Sequence, residues 1–152
     1  MTKIPMGAVL AIAITGVVLS ALAAGLLAAY QSVPNTGNVR AVGVGVYWES
    51  SCTNNVTSID WGFLEPGAVV SKTVYIRNNG NIAEMLNMTT DNWDSAPAYA
   101  YITLSWTREG YVLGSSESTR VVEAVLTLEV SSSISGVTTF SFDITITGTE
   151  QA

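Results

Sequence analysis

Two hydrophobic patterns divide the chain. Residues 4–30 carry no charged side chain and are almost uniformly apolar, whereas from Val39 onward apolar residues recur at every second position. An apolar run of that length is typical of a helix in a membrane, and a period of two is typical of β-strands with one buried face. The patterns predict a hydrophobic helix over residues 1–30, a linker over 31–38 and an all-β domain over 39–152.

The apolar segment also predicts where the protein is found. A helix over residues 4–30 would be about 40 Å long, which exceeds the ~30 Å hydrocarbon core of a bilayer. Lys3 precedes the run and the next charged residue is Arg40, so the pattern favours an N-terminus inside the cell and a domain outside the cytoplasm. The alternative is a cleaved signal peptide that ends at Ala23 or Ala29, and the length of the run favours a retained helix. Both interpretations predict an extracytoplasmic protein.

The alternating region predicts about seven short strands separated by turns, which is typical of an antiparallel immunoglobulin-like β-sandwich. Glu65-Pro66-Gly67 predicts a turn, and Asn78-Asn79-Gly80-Asn81 predicts a β-hairpin. The strands with the clearest alternation are Val42–Trp48, Val69–Arg77, Ile82–Met88, Ile102–Trp106, Val122–Val130 and Phe140–Ile146.

Two of these strands are candidates for pairing with another chain. Residues 138–148 form a long, regular strand near the C-terminus that we predict to lie at a sheet edge, where strand addition can occur. Gly43 and Gly45 leave one face of the strand Val42–Trp48 smooth enough for close approach. The alternative is that both strands pair only within one sandwich.

Composition excludes several kinds of chemistry. The chain of 152 residues has a net charge of -6, with 6 Lys and Arg against 12 Asp and Glu, so we expect no nucleic-acid partner. It contains no histidine and one cysteine, which excludes imidazole catalysis, an intrachain disulfide and a thiolate metal cluster. No catalytic motif is visible, so we predict no enzyme activity, no cofactor, no metal and no small-molecule substrate.

Three local features remain as candidate sites. Asn55-Val56-Thr57 and Asn87-Met88-Thr89 are N-glycosylation sequons, and we take Asn55 and Asn87 as candidate glycosylation sites of an exported chain. Cys52 can bridge two chains or remain a free thiol. The segment 91–94, with Asp60, offers oxygen ligands for calcium, although Asp and Asn are also ordinary turn residues.

One segment resembles a known group of exported proteins. Leu64-Glu65-Pro66-Gly67, followed by residues 72–81 (KTVYIRNNGN), is similar to a signature of exported immunoglobulin-like domains. These include CARDB-like modules and the TasA/camelysin family of biofilm fibre proteins. The arrangement of an apolar helix before a Gly- and Thr-rich β-domain also resembles archaeal surface proteins and archaeal type IV pilin-like subunits. The resemblance implies self-assembly, through packed N-terminal helices or through donated strands.

The sequence therefore predicts a non-catalytic cell-surface structural protein, a subunit of an extracellular filament or envelope layer. Its expected partners are further copies of itself and, through residues 4–30, a membrane. The alternative is a monomeric, membrane-tethered binding or adhesion module that uses the loops 50–58 or 91–98. Aromatic side chains near these loops are the candidate binding groups in that case: Tyr47, Trp48, Trp93, Tyr99 and Tyr101. A third interpretation is an accessory subunit of a membrane complex.

Overall fold

A computed structural model describes residues 35–151, and the predicted hydrophobic helix 1–30 lies outside the described residues. The described part is mostly β-structure. Its strands are β1 (Asn35–Val42), β2 (Val44–Tyr47), β3 (Ser58–Gly62), β4 (Val69–Asn78), β5 (Glu84–Asp94), β6 (Ile102–Trp106), β7 (Val112–Leu113), β8 (Val121–Val130) and β9 (Ser141–Glu150). A 3₁₀ helix, Ala96–Ala100, connects β5 to β6. Within residues 35–151, no helix is long and apolar enough to span a membrane.

The strands form two sheets. The five-stranded sheet has the order β3-β1-β9-β5-β7, and the four-stranded sheet has the order β2-β4-β8-β6. Most neighbouring strands are antiparallel, but β1 and β9 are parallel, with Thr36 opposite Ser141 and Val42 opposite Thr147. The domain is therefore all-β, with one parallel pair where the sequence predicted an antiparallel arrangement.

One hydrophobic core lies between the sheets. The inward-facing residues of β4, β8 and β9 are the alternating apolar positions of the sequence, and they are almost completely buried. At one end of the core, the rings of Trp93 and Phe142 stack with their centroids 4.2 Å apart, and Phe140 lies beside Phe142 at 6.1 Å. Burial of these apolar surfaces is the main force that holds the two sheets together.

The first predicted strand is interrupted at Gly43. This residue has φ +79°, a left-handed conformation that glycine adopts easily, and a Cβ there would collide with the backbone oxygen of Gly148. The chain bends at Gly43 and moves from the five-stranded sheet to the four-stranded one. Residues 35–38, predicted as part of the linker, form the beginning of β1.

Two predictions about strand placement are wrong. β9, expected at a sheet edge, is the central strand of its sheet and pairs with both β1 and β5. Asn78–Asn81 does not join a hairpin, because β4 and β5 belong to different sheets. The Asn78 side chain is buried and bonds across this connection: its Nδ2 donates to the Ile82 carbonyl (2.7 Å), and its Oδ1 accepts from the Gly80 N–H (2.7 Å).

Candidate functional site

Along most of β5, the edge of the five-stranded sheet has no neighbouring strand among residues 35–151. Its edge strand β7 pairs only with Glu84 and Met85, at the start of β5. The next residue, Leu86, directs its backbone away from β9, since its N–H donates to the Tyr111 carbonyl and its carbonyl accepts from Gly110, both at 2.9 Å. Backbone direction alternates along an antiparallel strand, so Met88 and Thr90 also direct their N–H and C=O groups to this side.

The four-stranded sheet also has an uncovered edge strand, β6, on the same side of the described part of the molecule. The Tyr101 carbonyl accepts from the Ser131 N–H, just beyond the end of β8, at 2.8 Å. The Thr107 N–H donates to the Val125 carbonyl, within β8, at 3.1 Å. By the same alternation, Ile102, Leu104 and Trp106 direct their backbone groups away from β8. No strand among residues 35–151 pairs with this side of β6. We refer to residues 88–94 of β5 and 102–106 of β6 together as the open edge.

The open edge exists because the chain changes sheets. It runs through β6 in one sheet, crosses at residues 107–111, and continues as β7 in the other sheet. β6 therefore covers one half of β8, and β7 covers the opposite end of β5. The remaining half of each of these two strands has no neighbouring strand among the described residues on that side.

Three consecutive side chains of the crossing segment occupy part of these uncovered backbones. Thr107 Oγ1 accepts from the Val125 N–H (3.0 Å), and Arg108 Nε donates to the Glu123 carbonyl (2.6 Å), both on β8. Glu109 Oε2 accepts from the Met88 N–H on β5 (3.2 Å). Side chains here make hydrogen bonds that a neighbouring strand would otherwise make, which is one way in which sheet edges are protected.

Half-buried apolar side chains line the open edge between the sheets. Met88 from β5 and Leu104 and Trp106 from β6 pack against the core and stay partly accessible. The Trp106 indole Nε1 donates to Glu109 Oε2 at 2.7 Å, so one carboxylate joins the uncovered parts of both sheets. An added strand would find free backbone groups and an apolar lining here, which are the two components of recognition by strand addition.

The outer face of the five-stranded sheet carries a polar cluster around Asp143. Its carboxylate accepts from Asn92 Nδ2 (2.8 Å) on β5 and from Asn38 Nδ2 (3.1 Å) on β1, and it pairs with the Arg40 guanidinium at 3.1 Å. The hydrogen bonds from Asn92 and then Asn38, with the charge of Arg40, hold the pKa of Asp143 below its usual range. The cluster ties β1 and β5 to the central strand.

Glu84 is a buried carboxyl group at the opposite end of the sheet. Glu84 is 6% exposed, and its Oε2 atom has no hydrogen-bond partner among the described residues. A Cβ at Gly148 would collide with this carboxylate, so the glycine makes the space that Glu84 occupies. Burial, and then repulsion from Glu150 opposite it on β9, raise the pKa of Glu84.

We expect Glu84→Gln to stabilise the domain near neutral pH by about 1 kcal/mol, because it removes a desolvated charge. The native pKa lies above the unfolded one, so the stabilising contribution of proton binding is present at low pH and lost as pH rises through the native pKa. Urea unfolding between pH 4 and 8 measures this. The difference between variant and parent should grow with pH, and Glu150→Gln, at an exposed residue, should have a smaller effect. A pH-independent difference would contradict the assignment.

Both candidate glycosylation sites are accessible. Asn55 is exposed in the loop between β2 and β3, where it forms a bridge with Tyr47, and Asn87 is exposed on the outer face of β5, as the alternation predicted. Their exposure is compatible with modification, which stays a prediction. The two sites lie on different elements and do not form one cluster.

Cys52 lies in the same loop as Asn55, with a left-handed φ of 56°. The loop is organised by Glu49, whose Oε1 accepts from Thr53 N–H (3.0 Å), Thr53 Oγ1 (2.7 Å) and Asn54 N–H (2.6 Å). Burial is the main cause that raises the pKa of the Cys52 thiol, which makes the thiolate less available. The residue is half-buried and is a free cysteine among the described residues.

The structure does not assemble the ligands considered for calcium. Asn92 donates to Asp143, Asp94 accepts from the Ser95 N–H (2.8 Å), and Asp60 accepts from the Gly62 N–H (2.8 Å). Within residues 35–151, no group of three or more acidic or cysteine side chains is arranged to hold a metal ion.

The sequence patterns did not predict the crossing segment, since Ile102–Trp106 was predicted only as a strand. The sequence does contain a signal for it: charged residues follow Trp106 directly, and Gly110, with φ +70°, allows the turn toward the other sheet. The destination of the segment depends on tertiary packing, which a single strand's pattern does not specify.

The chain was compared with models of protein families, with curated proteins and with solved structures, and none of these comparisons found a match.

Proposed function

We propose that this protein is a non-catalytic cell-surface structural protein, a subunit of an extracellular filament or envelope layer. In this proposal, residues 4–30 form a hydrophobic helix that anchors or assembles the chain outside the cytoplasm. The two sheets around one core form an immunoglobulin-like β-sandwich. The open edge is the observation that carries the proposal, because it offers a surface for self-association.

Self-association would proceed by strand addition at the open edge. A segment of a second copy would pair with the free backbone groups at Thr90 and at Leu104, and would cover the half-exposed apolar side chains between the sheets. Exposed strand edges readily pair with other chains. If the donated segment and the receiving edge are different parts of the chain, the contact is head-to-tail, and it forms a filament when the rotation between copies does not close a ring. The open edge thus supports donated strands as the mode of assembly.

The tethered binding module is less well supported. Of the five aromatic residues considered as binding groups, Tyr99 is exposed, whereas the other four are half-buried. Trp93, Trp48 and Tyr101 pack against the core. These side chains stabilise the domain and present little stacking surface to a ligand.

The test is to shear surface material from native cells and examine it by negative-stain microscopy and N-terminal mass spectrometry. We expect polymers that contain this chain. Polymers that begin near residue 24 or 30 would indicate strand donation, and polymers that retain the apolar helix would indicate helix packing. A monomer that requires detergent and retains Met1 would contradict the filament proposal.

A further inference from the structure

The two ends of the domain differ in charge. At one end lie Asn35, which begins β1, and three connecting segments: 63–68 between β3 and β4, 95–101 around the 3₁₀ helix, and 131–140 between β8 and β9. Strand pairing places them together, because Asn35 is opposite Gly62 and Ile102 is opposite Val130. Glu65 is the single charged residue in these three segments. We refer to this end as the tether end.

The tether end, together with Val69 at the adjoining start of β4, carries the most exposed large hydrophobic side chains of the described residues. Phe63 and Val69 are each 64% exposed, and Tyr99 is 68% exposed. Single exposed apolar residues are ordinary, but three at one end with almost no charge form a surface suited to an apolar or interfacial environment. Aromatic side chains are enriched at the interface between a membrane and water.

The opposite end has a different surface. Its exposed apolar residues, among them Val42 (57%) and Val112, share that end with charged side chains. These charged residues are Arg108, Glu109, Glu117, Arg120 and Glu150. An apolar layer would have to desolvate these charges, which is costly. Of the two ends, the tether end is therefore the one suited to contact with an apolar layer.

The connection to residues 4–30 is short. Only residues 31–34 separate Tyr30 from Asn35, and an extended chain spans at most about 3.6 Å per residue, so Asn35 lies within about 20 Å of Tyr30. Asn35 itself is fixed: its Nδ2 donates to the Gly62 carbonyl and its Oδ1 accepts from the Phe140 N–H, both at 3.2 Å. A membrane that contains residues 4–30 must therefore lie next to the tether end.

We propose that the tether end rests on the outer surface of the lipid bilayer, with Phe63, Val69 and Tyr99 inserted into its interface. The inference depends on the proposed anchoring of residues 4–30. No Lys or Arg occurs in the three segments, and Asp60, Asp94 and Glu129 lie on the adjoining strand ends. The contact is therefore apolar, requires no anionic lipid, and weakens as anionic lipid is added. The domain is held upright, with the open edge to the side, accessible to a second copy.

The test uses the full chain in phosphatidylcholine vesicles, with Cys52→Ser and one nitroxide-labelled cysteine. Phe63→Cys and Val69→Cys report on the tether end, and Val42→Cys, an exposed valine at the opposite end, is the matched control. We expect the labels at 63 and 69 to lose collisions with a water-soluble relaxant and to gain collisions with oxygen, whereas the label at 42 stays in water. Equal water accessibility at the three sites, in vesicles that retain the chain after a carbonate wash, would overturn the inference and leave the anchoring intact.

Two further outcomes separate the alternatives. If the carbonate wash releases the chain, the proposed anchoring fails, and the inference fails with it. If the labels at 63 and 69 are shielded equally in lipid-free polymers, neighbouring copies cover the tether end and the assignment to lipid is overturned. A decrease in shielding when anionic lipid replaces part of the phosphatidylcholine supports the apolar contact.

Discussion

Phe142→Ala is expected to lower the free energy of unfolding by about 3–5 kcal/mol, the usual cost of removing a buried phenylalanine ring. Phe142 is almost completely buried on the central strand β9, and its ring stacks on Trp93 and lies beside Phe140. The cavity would lie between the two sheets, where few side chains can move to fill it. A domain of this size is stable by only about 5–15 kcal/mol, so the variant should unfold at much lower urea concentration.

The matched control is Phe63→Ala, the same substitution at a ring that is mostly exposed. We expect a change of less than about 0.5 kcal/mol for it, as for most surface substitutions. Equal destabilisation by the two variants, measured by urea unfolding with tryptophan fluorescence, would contradict the placement of the aromatic stack in the core.

Thr90→Pro is expected to abolish self-association and leave the domain folded. The Thr90 N–H points to the open edge, so a proline there removes a hydrogen-bond donor that no strand among the described residues uses, and proline is tolerated at such edge positions. An incoming strand would lose this bond and meet the pyrrolidine ring. Sedimentation velocity at increasing protein concentration should show polymers for the parent chain and monomers for the variant.

Thr89→Pro is the control one residue away. Thr89 pairs with Thr145 on β9, and its N–H points into the sheet, so proline there removes an interior ladder bond at a cost of roughly 3 kcal/mol or more. Circular dichroism should show loss of structure for Thr89→Pro and not for Thr90→Pro. If Thr90→Pro folds and polymerises like the parent, the open edge is not the site of assembly.

The alternation of apolar residues was sufficient to locate most strands. β4, β6 and β8 begin and end within one residue of the predicted strands, because their inward positions are consistently apolar and their ends coincide with turn residues. Local patterns of this kind reflect burial on one face, which the sequence records directly. The all-β class of the domain follows from the same signal.

The arrangement of the strands could not be predicted in the same way. The sequence of β9 has the same alternation of apolar and polar residues whether the strand lies at an edge or in the centre of a sheet. The alternation reflects which face is buried and does not depend on which strands lie beside it. The burial of Asp143 does depend on such neighbours, because Asn38, Asn92 and Arg40 from the flanking strands cover it. Asn78–Asn81 has hairpin residues and yet connects two sheets, because the core on both sides determines where β5 packs.

The open edge was not predicted from the sequence. The apolar alternation predicted that residues 138–148 form a strand available for pairing, whereas among residues 35–151 the uncovered strands are β5 and β6. The cause is the change of sheets at residues 107–111. Tertiary packing determines this change, and the sequence indicates a turn there but not the sheet to which the chain continues. Glu109 and Trp106, which meet there, have no functional motif that would single them out.

Hydrogen exchange of assembled against monomeric protein tests the central claim most directly. Strand addition at the open edge would protect the backbone amides of Thr90 and Leu104, which have no strand partner among residues 35–151, and should slow their exchange in the polymer. The amide of Thr89, already bonded to β9, should change little and provides an internal reference. Polymers in which the amides of Thr90 and Leu104 exchange as fast as in the monomer would contradict assembly through the open edge.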